Sequence, residues 1–264
     1  MSYRPEKYWG GLLEDDDLSR TGHADLPIVF NRWLYRNGQR NLDGFLAKRG
    51  LAVPARVFDA GAGTGFWVDH WLQRGARRVD GCDLVPAAVE RLARRQVGDF
   101  SVADLSDGPP TASSYPLVSA MNVLLHITAD DAFDRALGAL AALVEPGGHL
   151  LLAEPAVTDA RRATPFDPAT HARVRHVDRY DPAGLQLVAV APTAVVGADP
   201  IEGSRLWGLT WRLATGVARR GERPAAVAGR SIYVADAVLM RGPWRSTGKF
   251  FLFRRPALGG PARA

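Results

Sequence analysis

A short apolar run at residues 56–59 breaks into Asp59-Ala60-Gly61-Ala62-Gly63-Thr64-Gly65. Glycines at alternate positions let a backbone turn tightly and let a ligand approach it closely. Four further β-type runs follow, at residues 79–83, 100–104, 117–122 and 150–154, with helical patterns between them at 67–74, 86–95 and 131–144. The last helical pattern sets Phe133, Ala136, Leu137, Leu140, Ala141 and Val144 on one face, at the 3.6-residue period of an amphipathic helix. Thr128 precedes it as an N-cap residue, and Pro146-Gly147-Gly148 is expected to end it. Strands alternating with helices imply an α/β fold: a parallel sheet covered on both faces.

Two regions lie outside this alternation. Residues 1–50 carry Tyr3, Tyr8, Trp9, Phe30, Trp33 and Tyr35, with a helix expected over 31–46, and read as an N-terminal helical cap. After residue 154 a polar lid or loop is expected over 155–178, a strand over 193–198, helices over 205–219 and 231–240, and a final strand over 249–254. With 264 residues, one main domain over 51–256, with lid and helical insertion at 155–247, is favoured over two independent domains. Residues 257–264 read as a frayed tail.

Composition removes several function classes. Apolar residues at 47% and charged residues at 23% exclude a disordered chain. The longest uncharged stretch, residues 108–129, is broken by prolines, serines and a histidine, which makes a poor membrane span. The first residues lead into no apolar signal-peptide core. The one cysteine, Cys82, fits a reducing cytoplasm and gives no cysteine-rich zinc site. Net charge is +5, but almost all of the basic residues are arginines scattered along the chain. Without a compact basic stripe, nucleic-acid binding is disfavoured. His171 and His176 are five apart and share no helical face, and no paired-carboxylate pattern follows the fourth strand; no metal is expected.

The five β-type runs end in Asp59, Asp83, Asp104, Asn122 and Glu154. In an open parallel sheet, ligands bind outside those carboxyl ends, although Asp and Asn also cap helices. The glycine turn departs from the G-x-G-x-x-G spacing that seats a pyrophosphate, since Phe66 follows Gly65. It also opens with Asp59, an acid suited to an ammonium group. Asp83 can accept from both hydroxyls of a ribose, and Asp104 from an exocyclic adenine amine. Ammonium, ribose diol and adenine without phosphate describe S-adenosylmethionine.

The stretch 57–65, Asp83-Leu84, Ala103-Asp104-Leu105, the run 121–127 and residues 145–154 resemble the ordered motifs of class I S-adenosylmethionine-dependent methyltransferases. The resemblance covers roughly residues 50–155. It implies a Rossmann-like three-layer sandwich whose seven-stranded, mostly parallel sheet has an antiparallel last strand. It also implies S-adenosylmethionine as cofactor, with Asp59, Gly61, Gly63, Asp83, Leu84, Asp104, Leu105 and Asn122 around it. Lys7-Tyr8-Trp9 and residues 31–36 are similar to the N-terminal caps of small bacterial members. By that resemblance Tyr8 and Arg36 touch the methionine end, or else remain packed and solvated respectively.

A sulfonium methyl is already electrophilic, so the protein chiefly orients the reactants and excludes water. A hydroxyl or ammonium acceptor also benefits from a base. His126, just past the fourth strand, is the candidate, with a loop-supporting role as the alternative. His176 and Tyr180, in the expected lid, either face substrate or lie at the surface. Trp207 and Trp211, four apart on one helix, either wall an acceptor pocket or pack that helix on the sheet. The acidic run 14–17 reads as solvated. The expected function is methyl transfer to a small-molecule acceptor through O, N or C in the cytoplasm, in secondary metabolism. The alternatives are a protein or RNA methyltransferase, and a cyclase or binding protein that keeps the cofactor without transferring methyl.

Overall fold

In the computed structural model, which describes residues 5–14, 21–23, 25–164, 171–197, 201–202 and 205–257, the expected runs form the parallel part of one sheet. The strands are β1 (Arg56–Ala60), β2 (Arg78–Asp83), β3 (Phe100–Val102), β4 (Tyr115–Met121), β5 (Val144–Val157), β6 (Arg175–His176), β7 (Gln186–Pro192) and β8 (Gly248–Arg254). Their order is β3-β2-β1-β4-β5-β8-β7, with the two-residue β6 paired to β5 off this path. Strands β1 to β5 pair in parallel. The last strand, β8, runs antiparallel to both β5 and β7. The expected seven-stranded pattern is therefore present, with β6 added. The chain moves outward from β1 to β2 and β3, then crosses back to β4 on the other side. That reversal opens a crevice at the carboxyl ends of β1 and β4.

Helices cover both faces. They are α1 (Pro5–Leu12), α2 (Ile28–Ala47), α3 (Phe66–Gln73), α4 (Pro86–Ala93), α5 (Asp130–Ala142), α6 (Arg205–Ala218) and α7 (Glu222–Leu239). Leu42, Phe45 and Leu46 of α2, Val68 and Trp71 of α3, and Leu92 of α4 pack on Val57, Val79, Leu117 and Leu151 of the sheet. On the opposite face Phe133, Ala136, Leu137 and Leu140 of α5 pack on Val118, Ala120 and Leu150. Alternation along each strand sends successive side chains to these two cores. A third core joins Phe30 of α2 to Trp211, Ala218, Ala225 and Ile232 of α6 and α7. The cap and the insertion are thus one packed layer.

Local details differ from the sequence expectations. The N-cap of α5 is Ala129 rather than Thr128, because the Thr128 carbonyl receives Arg173 and Arg175. The helix ends at Ala142, and Pro146-Gly147-Gly148 sits inside β5, where the β4–β5 register shifts. The third strand stops at Val102, and Asp104 caps the 3-10 turn Leu105–Asp107. The seventh helix begins at Glu222, nine residues earlier than expected from 231.

The strand expected over 193–198 is instead Gln186–Pro192. Thr193 N–H still reaches Gly248 O of β8, but beyond it the backbone donates to a buried carboxylate: Val195 and Val196 N–H to Asp236 Oδ1, and Gly197 N–H to Asp236 Oδ2. Asn37 Nδ2 donates to the same Oδ2 at 2.6 Å, tying α2, α7 and this turn together. The expected lid over 155–178 is part strand, with β5 running to Val157 and pairing with Arg175–His176. Residues 15–17 of the acidic run, 165–170 of the lid and 258–264 of the tail lie outside the described residues.

Candidate functional site

Where the strand order reverses, the sheet carries a cavity of about 390 Å³, within the range of small-ligand pockets. Eight of the residues expected there from sequence line it: Gly61, Gly63, Asp83, Leu84, Asp104, Leu105, Asn122 and His126. They come from four successive loops after β1, β2, β3 and β4.

The glycine turn takes positive φ at Gly61 (66°), Gly63 (52°) and Gly65 (84°), backbone conformations that side chains disfavour. Asp83 supports this turn from the neighbouring strand. Its Oδ2 accepts from Gly63 N–H at 2.8 Å and its Oδ1 from Val85 N–H at 2.9 Å. Each oxygen retains a second lone pair. Burial raises the Asp83 pKa, and the backbone donors at Val85 and Gly63 oppose that rise. Asp104 Oδ1 accepts from Ser106 N–H and Oγ–H at 2.8 and 2.7 Å.

The two remaining strand-end acids face the interior. Asp59 is 2% exposed and does not line the cavity. Its Oδ1 accepts from Ser119 Oγ–H at 2.6 Å, and the Ser119 Oγ in turn accepts from Trp71 Nε1–H at 3.1 Å. Desolvation pushes its pKa up to about 7. The strand register explains this placement: Asp59 lies opposite Ser119 on β4, on the face covered by α3. Its side chain is thus sealed beneath the turn rather than presented to an ammonium group.

Glu154 is fully buried. Its Oε1 accepts from Val123 and Leu124 N–H, both at 2.8 Å, and its Oε2 from Leu125 N–H at 3.0 Å. Desolvation raises its pKa to about 7 against these three donors. It fixes the loop that carries Asn122 and His126. Asn122 begins that loop with φ 59°, and its N–H reaches Ala153 O at 2.7 Å.

His126 Nδ1 lies 2.9 Å from the His171 backbone carbonyl. A carbonyl only accepts, so Nδ1 carries the proton and Nε2 the basic lone pair. Burial lowers the His126 pKa, partly offset by that carbonyl. The segment around His171 also binds the loop through Arg173 N–H to Leu125 O, and through Arg175 to Ile127 O and Asp130.

Other expected site residues lie elsewhere. Tyr8 is not in the cavity wall; its ring packs on His171 with centroids 4.0 Å apart. Arg36 is exposed, with its guanidinium 5.2 Å from the centre of the Trp33 ring. Tyr180 is buried in the sheet core, stacked on Phe251, and its hydroxyl donates to Pro155 O. His176 caps a 3-10 turn, accepting from Asp178 N–H, and its Nε2 meets Thr158 O. Trp211 packs on Phe30 and His23, and Trp207 on Trp244. These tryptophans form the helical core of the insertion.

The sequence reading missed Trp9, Tyr35, Phe66 and Trp67 as cavity residues. Phe66 and Trp67 follow the glycine turn directly, a position from which they could have been inferred. Trp9 and Tyr35 lie in the two cap segments that the resemblance singled out, but Tyr8 and Arg36 were the residues expected at the site there, and the docking of those segments is not encoded locally. No group of three or more potential metal ligands occurs among the described residues. No helix among them is long and apolar enough to cross a membrane.

A family model described as a methyltransferase domain matches residues 30–189. No curated protein matches the sequence. Among solved structures, the N-methyltransferase NodS from Bradyrhizobium japonicum WM9, in complex with S-adenosyl-L-homocysteine, aligns with TM-score 0.55 and 15% identity over 95% of this chain and 98% of that one. The [4+2]-cyclase SpnF aligns with TM-score 0.52 and 20% identity over 83% and 81%. Phosphoethanolamine N-methyltransferase 1 of Haemonchus contortus aligns with TM-score 0.56 and 12% identity over 98% and 50%. At these identities the likeness is one of fold.

Proposed function

Because the chain belongs to the class I S-adenosylmethionine-dependent methyltransferases, we propose that this cavity holds S-adenosylmethionine and that the enzyme methylates a small-molecule acceptor beside His126. The observation that carries the reading is Asp83: a buried carboxylate at the second strand end, facing the cavity. Both its oxygens are oriented by backbone donors and both keep acceptor capacity. That is a fit for a ribose diol. Asp104, with Oδ1 committed to Ser106, offers Oδ2 to an exocyclic amine, and Leu84 and Leu105 flank an adenine. Gly61 and Gly63 present bare backbone to the methionine end, which replaces the role expected of Asp59. Asn122 contributes from the β4 loop.

When bound, the cofactor supplies an electrophilic methyl group on a sulfonium. The chain's own residues orient and deprotonate. His126, held in the tautomer with its lone pair on Nε2, takes the acceptor's proton, while Glu154 keeps the loop in place. The aromatic wall reduces water access to the reacting atoms. We assign the activity to the cytoplasm and to secondary metabolism, and read residues 1–50 as the cap of a methyltransferase domain spanning 51–256.

Calorimetry with S-adenosylhomocysteine, beside transfer of a labelled methyl group to candidate acceptors, tests the proposal. Wild type should bind, and Asp83→Ala should lose about 1.5–3 kcal/mol of binding free energy, since a charged acceptor is removed. Unchanged affinity in Asp83→Ala would remove the assignment. Binding without transfer to any acceptor would favour a cyclase or binding protein. Transfer confined to a protein or RNA would favour a macromolecular substrate.

A further inference from the structure

The wall of the cavity beyond Asp83 and Asp104 is built from rings. Tyr35 and Phe66 pack with centroids 4.5 Å apart, and Phe66 meets Trp67 edge-on at 5.2 Å. From α1, Trp9 meets the His126 ring edge-on at 4.6 Å. All five residues line the same cavity. Thr21, also in the wall, hydrogen-bonds the Tyr35 hydroxyl at 2.8 Å.

Resting on the reading above, we propose that the acceptor is an uncharged aromatic compound carrying a phenol-type hydroxyl, seated among Trp9, Tyr35, Phe66 and Trp67 with that hydroxyl at His126 Nε2. Three observations carry this. First, flat rings bury well against aromatic walls, where offset and edge contacts add to area burial. Second, charge is unmatched there. Among the described residues the charged side chains lining the cavity are Asp83 and Asp104, and both are engaged at the nucleoside end by backbone donors. A carboxylate or phosphate acceptor finds no protein cation in the described wall and would have only the sulfonium as counter-charge, and an incompletely paired buried charge is costly. Third, an ammonium acceptor would sit beside the cofactor's own positive charge in a low-dielectric site. Ring faces attract a cation, which is why a cationic ligand of the same shape is one arm of the test below.

The proton and electron balance is simple. The hydroxyl proton passes to His126 Nε2 as the oxygen bonds the methyl carbon. The sulfur–methyl bond breaks with its electron pair left on sulfur. The methyl ether and S-adenosylhomocysteine leave, and the imidazolium returns its proton to solvent.

The test uses ligands of one shape and three charges: 2-naphthol, 2-naphthylmethylamine and 2-naphthoate, which are neutral, cationic and anionic at pH 7. Binding is followed by quenching of tryptophan fluorescence in the full chain, with and without S-adenosylhomocysteine. The neutral ligand should bind at least about tenfold more tightly than either charged one, because the charged forms are desolvated without a partner. Trp9→Ala should weaken naphthol binding about tenfold or more through loss of a ring contact and its buried area, with a circular-dichroism melt confirming that the variant folds. Naphthylmethylamine or naphthoate binding as tightly as naphthol would overturn the proposal. So would a folded Trp9→Ala variant with unaltered naphthol affinity. Loss of S-adenosylhomocysteine binding in wild type would instead strike the cofactor assignment, so the two failures are distinguishable.

Discussion

Gly61 and Val123 bring the two sides of the crevice to contact distance: a Cβ placed on Gly61 would lie 2.5 Å from Val123 Cγ2 and 3.1 Å from Cγ1. Gly61 belongs to the turn after β1, Val123 to the loop after β4. Their approach sets the spacing between the bare backbone of one loop and the His126-bearing loop opposite.

Gly61→Ala is expected to fail twice, through this overlap and through a φ of 66° that costs an alanine roughly 1–2 kcal/mol. Affinity for S-adenosylhomocysteine should fall and thermal stability with it. Adding Val123→Ala should restore part of the affinity by relieving the overlap, while the backbone strain stays. A double variant no better than the single would show that the overlap is not the cause.

Glu154→Ala leaves the N–H groups of Val123, Leu124 and Leu125 without their acceptor. Each unsatisfied buried donor costs about 1–3 kcal/mol, reduced where water enters. The expected signature is local. Those three amides should lose hydrogen-exchange protection, and turnover should drop more than cofactor affinity. Uniform loss of protection across the sheet would mean that Glu154 supports the whole core rather than this loop.

Asp59 gives a pH dependence of defined sign. Its pKa is near 3.8 when unperturbed and about 7 in the folded chain, so between these values the native state holds a proton that the unfolded chain has released. Stability contributed by this group therefore falls as pH rises through that window and levels off above about 7. Glu154 acts in the same direction from 4.5 to about 7. Urea unfolding at several pH values should show the decline. Asp59→Asn, which keeps an acceptor for Ser119, should make it shallower, leaving the part due to Glu154. An unchanged slope would show that Asp59 ionises normally in the fold.

His126 should set the acid limb of the rate profile. Burial holds its pKa below the ordinary value of 6.5, so the neutral base persists to lower pH than a surface histidine would allow. Activity should be lost only as pH falls through that depressed pKa. His126→Gln should lower kcat and abolish this limb while leaving S-adenosylhomocysteine affinity within about threefold, under 1 kcal/mol. A limb retained in the variant would assign it to another group.

The sequence by itself determined the strand–helix alternation, the positive-φ glycines and the acids at the strand ends. Each is a local matter of periodicity, backbone freedom or side-chain type, and each can be read within a few residues. It also pointed to Asp83 and Asp104 as crevice residues, and both line the cavity, because a strand terminus in a parallel sheet opens there. Which acids reach that crevice was decided only by tertiary structure. Asp59 and Glu154 have the same local signal as Asp83, yet register and pleat turn Asp59 toward Ser119 and Trp71 and Glu154 toward three backbone amides. The ring wall was equally non-local. Trp9 and Tyr35 join Phe66 and Trp67 only because α1 and α2 fold back over the sheet, while Trp207, Trp211 and Tyr180 are drawn into packing cores by neighbours far away in the chain. Side-chain destination depends on what a fold brings alongside, and that information is spread over the whole chain.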